Sequence, residues 1–363
     1  MRGVLFLLIV WLAGSACFAQ NVVQKRVILI GDAGEINPKQ HEALTSAAAH
    51  IIPGKSIVMF LGDNIYPHGM GLPGSAEEKQ TQEIIRAQFT PMRAAGAPTY
   101  FVPGNHDWDR SGAQGLAKIK RQGEFLREQN DPGLELIPAG GCPGPVEVPL
   151  GDSLLVMVFD SEWWLFPHQK TGPADSCACN SKEEILAKMQ SVRDHNAGKF
   201  IVLASHHPFR SYGTHGGKYS LKDHIFPLTA VKKWLWVPLP VIGSLYPLLR
   251  SKIKNPEDMG HAWYQDMIGR VSQVFDGRGG VVFAAGHEHG LQLIDDGILQ
   301  VVSGSGAKRS YARKGKHSLF AHAKQGFVTI DLLQNKSLLI TYYVVEGNTV
   351  RSAFSYPVTM EAD

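Results

Sequence analysis

The chain has 363 residues, of which 44% are hydrophobic and 19% are charged. This is an ordinary globular composition with enough apolar material for a sizeable core, and a single domain over residues 20–363 is the simplest organisation. The 36 lysine and arginine residues nearly balance the 33 aspartate and glutamate residues, so the formal charge of +3 gives no signal for nucleic acid or an anionic membrane as a partner.

The first 19 residues have the order of a secretory signal peptide. Arg2 precedes an apolar run over residues 4–12, and small uncharged residues follow up to Ala19, near which we expect cleavage. The sequence therefore predicts export to the periplasm or the extracellular space. A retained anchor is disfavoured because the run is shorter than the roughly 20 residues of a spanning helix. A lipid anchor at Cys17 is disfavoured because Gly14 stands where such signals usually carry leucine.

Five short apolar runs without polar alternation predict buried strands at residues 26–30, 56–61, 99–102, 200–204 and 281–285. The segments between them predict helices at residues 77–93, 115–129 and 181–196. The last of these helices opens with the capping box Ser181-Lys-Glu-Glu184. This alternation of strands and helices predicts an α/β protein.

Each of the five runs leads directly into a loop that carries metal-type ligands. The loops are Gly31-Asp-Ala-Gly34, Gly62-Asp-Asn-Ile-Tyr66, Gly104-Asn-His-Asp107, Ser205-His-His-Pro208 and Gly286-His-Glu-His-Gly290. Ligands at the carboxyl ends of strands converge on one crevice. A single Gly-Asp pair is usually just a turn. Five such junctions together, each with Asp, Asn, His or Tyr, predict a site for iron, zinc or manganese.

Without the signal peptide the chain keeps Cys142, Cys177 and Cys179. In an oxidising compartment we expect one disulfide, from Cys142 to either Cys177 or Cys179. Zinc binding by Cys177 and Cys179 is the weaker alternative, because one intervening residue is not the usual spacing and no second pair exists.

Residues 234–249 form the most apolar stretch after the signal peptide, within an insertion at about residues 230–260. Three prolines and the short length exclude a regular membrane-spanning helix. Two interpretations stay open: a buried cap over the cleft, or a peripheral membrane contact that uses basic flanks and interfacial tryptophans.

The five motifs, in this order from Asp32 to His289, resemble those of the calcineurin-like metallophosphoesterase superfamily over essentially the whole mature chain. Most of that superfamily opens with Asp-x-His, whereas here Gly34 stands at the histidine position. Gly-Asp-x-Gly followed by Gly-Asp-x-x-Tyr is similar to the purple acid phosphatase branch, above all to its small tartrate-resistant members. In that branch a tyrosine, here Tyr66, makes good the missing ligand.

The resemblance implies a centre of two metal ions, Fe3+ together with Fe2+, Zn2+ or Mn2+. The first ion would be held by Asp32, Tyr66 and His289, the second by Asn105, His206 and His287, and both by Asp63. Carboxylate and phenolate oxygens suit a ferric ion, and neutral Asn and His suit a divalent ion. Such a pair lowers the pKa of a bound water, supplies hydroxide as the nucleophile and holds the phosphoryl oxygens.

The leaving oxygen also needs a proton or a hydrogen bond, for which His106 is the first candidate and His215 the second. The spacing of nine residues from His206 to His215 is similar to that of the family's second catalytic histidine. Asp107 would orient His106, and a loop-capping role for Asp107 is the open alternative.

The resemblance thus implies a phosphoester hydrolase, in the first place an acid-phosphatase-type phosphomonoesterase, and the predicted signal peptide implies that it is secreted. A phosphodiesterase acting on nucleotides or lipid head groups is the alternative with the same chemistry. A protein that binds metal or phosphate without turnover is the alternative from another class.

For the fold, the resemblance implies a four-layer α-β-β-α sandwich of two mixed β-sheets flanked by helices. Apolar runs at residues 298–302, 326–332 and 337–345 would supply the second sheet. Their spacing is that of antiparallel hairpin strands.

Overall fold

The computed structural model describes residues 22–218, 225–226, 235–238 and 255–360. The predicted signal peptide at residues 1–19, with Cys17, lies outside the described residues. So does the apolar segment at residues 234–249, except for residues 235–238, where Trp236 and Val237 are 55% and 44% exposed. No helix within the described ranges is long and apolar enough to cross a membrane.

Fourteen strands lie within the described residues. They are β1 (Val23–Ile30), β2 (Ser56–Leu61), β3 (Thr99–Val102), β4 (Leu134–Leu136), β5 (Val146–Pro149), β6 (Leu154–Val158), β7 (Phe200–Ala204), β8 (Val281–Ala285), β9 (Leu291–Asp295), β10 (Leu299–Ser303), β11 (Ser318–His322), β12 (Gly326–Leu333), β13 (Leu338–Glu346) and β14 (Thr349–Val358). They form two seven-stranded sheets, β14-β13-β12-β1-β2-β3-β4 and β11-β9-β10-β8-β7-β6-β5. Both sheets are mixed, since β1 to β4 pair in parallel, as do β6, β7, β8 and β10, while the outer strands pair antiparallel.

The described α-helices are α1 (Pro38–Ala49), α2 (Glu78–Ala94), α3 (Gly115–Arg127), α4 (Ser161–Leu165), α5 (Lys182–His195) and α6 (Ala262–Val274). The predicted capping box of α5 is half formed. The side chain of Ser181 accepts a hydrogen bond from the N–H of Glu184 at 3.2 Å, but the Glu184 carboxylate accepts from the N–H of Asn180 instead of that of Ser181.

Alternate residues of the central strands face different layers of the sandwich. In β1, Val27 and Leu29 belong to a buried cluster to which both sheets contribute, including Val202 of β7. Ile28 and Ile30 belong to another cluster that contains residues of α1 and α2. Each fully buried aliphatic side chain of this kind contributes about 1.5–3 kcal/mol to stability. The predicted four-layer sandwich, with helices outside two packed sheets, is confirmed.

The C-terminal apolar runs divide between the two sheets, contrary to the prediction that all of them supply the second sheet. Only the run at residues 298–302, observed as β10, joins the second sheet, where it pairs with β8. The runs at residues 326–332 and 337–345 form β12 and β13 of the first sheet, because β12 pairs antiparallel with β1. An apolar run indicates a buried strand but not the strand beside which it pairs.

The disulfide joins Cys142 to Cys177, whose Cα atoms are 5.5 Å apart. Cys179 is a buried free thiol. Of the two predicted pairings, the one from Cys142 to Cys177 is therefore observed. Because the sulfur of Cys177 is part of this disulfide, Cys177 and Cys179 do not form a zinc-binding pair. The bond ties the segment before β5 to the loop before α5.

Candidate metal centre

The loops that follow β1, β2, β3, β7 and β8 meet at one edge of the sandwich. The N–H of Asp32 donates a hydrogen bond to the carbonyl of Gly62 at 3.0 Å, which joins the loops after β1 and β2. The N–H of Gly286 donates to the carbonyl of His206 at 3.0 Å, which joins the loops after β8 and β7. Between the sheets, the N–H of His287 donates to the Asp32 carboxylate at 2.7 Å. The five motifs therefore surround one crevice.

Asp32, Tyr66 and His289 form a first group of donor atoms. The phenol of Tyr66 donates to Oδ1 of Asp32 at 2.8 Å and lies 3.1 Å from Nε2 of His289. The same His289 nitrogen is 3.3 Å from Oδ1 of Asp32. Burial and the neighbouring carboxylate of Asp32 raise the pKa of Tyr66 well above its usual value. The phenol therefore keeps its proton unless a cation compensates the phenolate charge.

Asn105, His206 and His287 form a second group. Nε2 of His206 is 3.0 Å from Oδ1 of Asn105 and 3.2 Å from Nδ1 of His287. Backbone carbonyls lie next to the other two ring nitrogens, Leu61 at 2.8 Å from His206 and Glu257 at 2.9 Å from His287. Such contacts orient a ligating imidazole and set its tautomer. Burial and the surrounding histidines lower the pKa of His287 well below its usual value, which favours the neutral, ligating form.

The carboxylate of Asp63 lies between the two groups. Its Oδ1 is 3.3 Å from Nε2 of His206 and accepts a hydrogen bond from the N–H of His106 at 2.9 Å. With Asp32 and His206 it forms a set whose ligand atoms all lie within 4.8 Å of one another. Burial disfavours the charge, but His206 and His106 outweigh it and hold the pKa of Asp63 below its usual range. An ionised carboxylate is thus available to both groups.

Asp32, Asp63 and His287 have a left-handed backbone, with φ of 57°, 52° and 66°. Residues other than glycine rarely adopt this conformation, which costs about 1–3 kcal/mol each. Each of the three follows a glycine just after a strand. Strain of this kind persists where the surrounding structure holds a side chain in a functional position.

The position of Gly34 explains why this chain has no histidine there. A Cβ atom at Gly34 would lie 2.6 Å from backbone atoms of Asp63 and Asn64. The N–H of Gly34 donates to the carbonyl of Asp63 at 3.1 Å, and its carbonyl accepts from the N–H of Tyr66 at 3.0 Å. The first loop therefore lies directly on the loop that carries Tyr66, and a side chain at position 34 would separate the two.

The donor atoms have the spacing of ligands around common ions. Ions of the iron and zinc type bind nitrogen and oxygen at about 2.1 Å, so two ligands at a right angle are about 3.0 Å apart. The corresponding pairs here are 2.8–3.3 Å apart. Carboxylate, phenol, amide and imidazole donors also suit such ions chemically. The donor types and their spacing therefore fit metal ions of this kind, with the Asp63 carboxylate close to ligand atoms of both groups.

A family model for calcineurin-like phosphoesterases matches residues 25–236 of the chain. The chain belongs to this family. No curated protein matches the sequence. The family match and the two mixed sheets therefore both agree with the resemblance that the sequence motifs carry.

Two solved structures share the fold of this calcineurin-like phosphoesterase. One is described as GAP50, the anchor in the inner membrane complex of Plasmodium, with a TM-score of 0.55, 15% identity, and coverage of 94% of this chain and 90% of that chain. The other is the purple acid phosphatase PPD1 from seeds of yellow lupin (Lupinus luteus), with a TM-score of 0.54, 14% identity, and coverage of 94% of this chain and 54% of that chain. This chain thus spans about half the length of the lupin enzyme, and at these identities the likeness shows the fold alone.

In this calcineurin-like phosphoesterase, His106 lies at the rim of the crevice, with its side chain 18% exposed. Its Nδ1 is 2.6 Å from the carbonyl of Pro67, and its Nε2 is 3.9 Å from Oδ2 of Asp63. Burial lowers the pKa of His106 despite the nearby Asp63. The ring is thus oriented by the backbone with one nitrogen toward the shared carboxylate.

Asp107 caps a loop, and the prediction that it orients His106 is corrected. Among the described residues no ion pair within 4.0 Å or hydrogen bond joins its carboxylate to the His106 ring, whose nitrogens face Pro67 and Asp63. Asp107 is fully buried, and burial raises its pKa well above the usual value. Its carboxylate accepts hydrogen bonds from the N–H groups of Gly104, Asn64 and Ile65 at 2.8–3.2 Å and from the Asn64 amide at 2.9 Å.

His215 lies beside the second group of donors. Its ring centroid is 4.1 Å from that of His287, and its Nδ1 is 3.3 Å from Oδ1 of Asp258. Burial opposes protonation, but Asp258 and other nearby carboxylates outweigh it and raise the pKa of His215. The buried carboxylate of Glu288 accepts from the N–H of Gly216 at 2.9 Å and so supports the turn that carries His215.

The sequence analysis did not identify the buried residues that contact His207, next to the second group of donors. Ser161 Oγ is 2.9 Å from Nδ1 of His207, and Oε2 of Glu162 is 3.8 Å from Nε2 of the same ring. His207 and Glu162 are fully buried, and His207 shares a potential ligand cluster with His206 and His287. Strand β6 leads into this segment, and its apolar run, followed by an aspartate, was the signal that could have found it.

Proposed function

We propose that this calcineurin-like phosphoesterase is a phosphomonoesterase of the purple acid phosphatase type. The observation that supports this most is the position of the Asp63 carboxylate between the two groups of three donor residues. Its Oδ1 lies 3.3 Å from Nε2 of His206. Asp32, Tyr66 and His289 would hold Fe3+, and Asn105, His206 and His287 would hold Fe2+, Zn2+ or Mn2+. When bound, such a pair activates water and neutralises phosphoryl oxygens.

Two histidines of the chain complete the proposed site. The carbonyl of Pro67 orients His106, whose partly exposed ring can pass a proton at the leaving oxygen of the ester. Asp258 favours the cationic form of His215, which can donate a hydrogen bond to a phosphoryl oxygen. Asp107 joins the loop after β2 to the loop after β3 and takes no part in proton transfer.

A pair of chromogenic substrates tests the proposal. The metal-loaded protein is assayed with 4-nitrophenyl phosphate and with bis(4-nitrophenyl) phosphate, in parallel with Asp63→Asn and the control Asp276→Asn, an exposed aspartate after α6. We expect the wild type and Asp276→Asn to hydrolyse the monoester, and Asp63→Asn to lose at least about 10²-fold in activity. Cleavage of the diester alone would identify a phosphodiesterase. Phosphate binding without hydrolysis of either ester would identify a binding protein.

We also propose that the enzyme is exported. The disulfide between Cys142 and Cys177 supports this, because such bonds persist in oxidising compartments. Fractionation of expressing cells, with N-terminal sequencing of the mature chain, tests it. Full-length protein with reduced cysteines in the cytoplasm would contradict it.

A peripheral membrane contact through residues 234–249 is a further part of the proposal. The exposure of Trp236 and Val237 supports it. Co-sedimentation with lipid vesicles, compared with Trp236→Ser, is the test, and equal sedimentation of both proteins would favour the cap over the cleft.

A further inference from the structure

The segment at residues 308–316, here called the basic loop, carries a local excess of positive charge. It contains five cationic residues and no acidic one: Lys308, Arg309, Arg313, Lys314 and Lys316. No aspartate or glutamate occurs in the sequence between Asp296 and Asp331. The formal charge of the whole chain is only +3, so the five positive charges of the basic loop are a local concentration of charge.

The basic loop begins at the first group of metal-site donors. The N–H of Ala307 donates to the carbonyl of Asp32 at 3.0 Å, and the N–H of Ser310 donates to the carbonyl of His289 at 2.7 Å. Between these anchors, Nζ of Lys308 lies 3.1 Å from the ring centroid of Tyr66. A cation in this position interacts with the face of the ring. The start of the loop is therefore in direct contact with the proposed metal centre.

The second half of the basic loop borders the segment that carries His215. Ala312 forms an isolated β-bridge with Gly213. Gly315 lies against the ring of Tyr212, since a Cβ atom at Gly315 would be 2.0 Å from Cε1 of that ring. The loop thus passes from the Tyr66 side of the crevice to the His215 side.

Most of the charge on the basic loop is not neutralised by the protein. Arg309, Arg313, Lys314 and Lys316 are exposed, and none of them has a carboxylate within 4.0 Å in the part of the chain that the structure describes. Lys308 has Glu35 at 3.8 Å. Clustered cations beside a site attract anions and raise their local concentration.

We propose that the basic loop is a second anion site, which binds a further phosphate group on the substrate while the metal centre holds the scissile phosphoester. The substrate class is then a phosphoester with at least two phosphate groups. This inference rests on the proposed function. A single phosphate is already served by the metal centre, so the additional cations discriminate between singly and multiply phosphorylated compounds.

The test compares two triple variants of the full chain. Arg313→Gln/Lys314→Gln/Lys316→Gln removes three charges from the basic loop. The control Arg127→Gln/Lys188→Gln/Lys336→Gln removes the same residue types from exposed positions on α3, on α5 and in the β12–β13 turn. Binding of inorganic tripolyphosphate to metal-free protein is measured by calorimetry. Hydrolysis of adenosine 3′,5′-bisphosphate and of adenosine 5′-monophosphate by metal-loaded protein is measured as phosphate release.

We expect the basic-loop variant to bind tripolyphosphate more weakly than the wild type. Its kcat/KM for the bisphosphate should be about tenfold lower, because it lacks three partly exposed ion pairs with the second phosphate group. Hydrolysis of the monophosphate should change less than about threefold, and the control variant should match the wild type in every assay. Equal effects on both nucleotides, or unchanged tripolyphosphate binding, would overturn the inference. Co-sedimentation with anionic vesicles is measured for the same proteins. If the basic-loop variant lost only this association, the loop would serve a membrane and the inference would also be overturned. If the proposed function itself were wrong, the wild type would hydrolyse neither nucleotide, which distinguishes that case from a failure of this inference.

Discussion

The phenol of Tyr66 donates a hydrogen bond of 2.8 Å to the carboxylate of Asp32, although the two residues belong to loops after different strands. Gly34 makes this contact feasible, because its missing side chain lets the two loops hydrogen-bond directly. The oxygens of Asp32 and Tyr66, with the nitrogen of His289, form the anionic half of the proposed centre.

Replacing Tyr66 by Phe should abolish the visible colour of the iron-loaded protein. A phenolate bound to ferric iron gives a pink or violet absorption, and the variant keeps the ring but lacks the oxygen. Absorption spectra of iron-loaded wild type and Tyr66→Phe measure this, with Tyr356→Phe on β14 as the control that keeps the colour. A colourless wild type that is active with zinc or manganese would refute iron at this position and leave the hydrolase assignment intact.

Asp63→Asn should cost more activity than His215→Ala. Loss of the shared carboxylate disturbs the ligands of both ions, whereas loss of a proton or hydrogen-bond donor slows one step, by about 10²–10⁴-fold. Steady-state hydrolysis of a phosphomonoester at saturating metal ranks the two variants. The reverse order would show that Asp63 is not shared.

Asp107→Asn should destabilise the fold without changing the shape of the pH–activity profile. The amide retains only one acceptor oxygen for backbone N–H groups that now share a carboxylate, so we expect a loss of about 2–3 kcal/mol. Thermal unfolding, with the exposed Asp152→Asn as control, measures the loss. Unchanged stability together with a shifted pH profile would restore a role for Asp107 in orienting His106.

The strands that position the site were predictable because each is a short apolar run that ends at a turn-forming glycine, proline or serine. β2, β3, β7 and β8 have the predicted bounds. Pairing was not predictable, since β12 and β13 have the same apolar character as β10 but join the other sheet. Burial alone does not select a neighbour.

The candidate site was predictable to the level of which residues meet, because carboxyl ends of strands share an edge. The left-handed backbone of Asp32, Asp63 and His287, and the contact that makes Gly34 necessary, depend on how loops from different strands pack. The adjacency of Asp107 and His106 in sequence was misleading, because neighbouring side chains in a tight loop face different partners.

Lys170→Met should flatten the rise of stability with alkaline pH. Burial and the charge of Lys182 lower the pKa of Lys170 from its usual 10.5 to about 8, although its ammonium donates to the Trp163 carbonyl at 2.7 Å. Between these values the unfolded chain binds more protons than the folded one, so the free energy of unfolding rises with pH. Urea unfolding from pH 7 to 11 measures the slope, and the exposed Lys188→Met should retain the slope of the wild type. An unchanged slope in Lys170→Met would show that the ammonium is not desolvated.

Metal stoichiometry tests most directly whether two ions share Asp63. Elemental analysis of the loaded, desalted protein should find two ions per chain in the wild type, one in His289→Ala, and fewer than one in Asp63→Asn. A wild type that hydrolyses phosphomonoesters at full rate with one ion or none per chain would contradict the dinuclear centre.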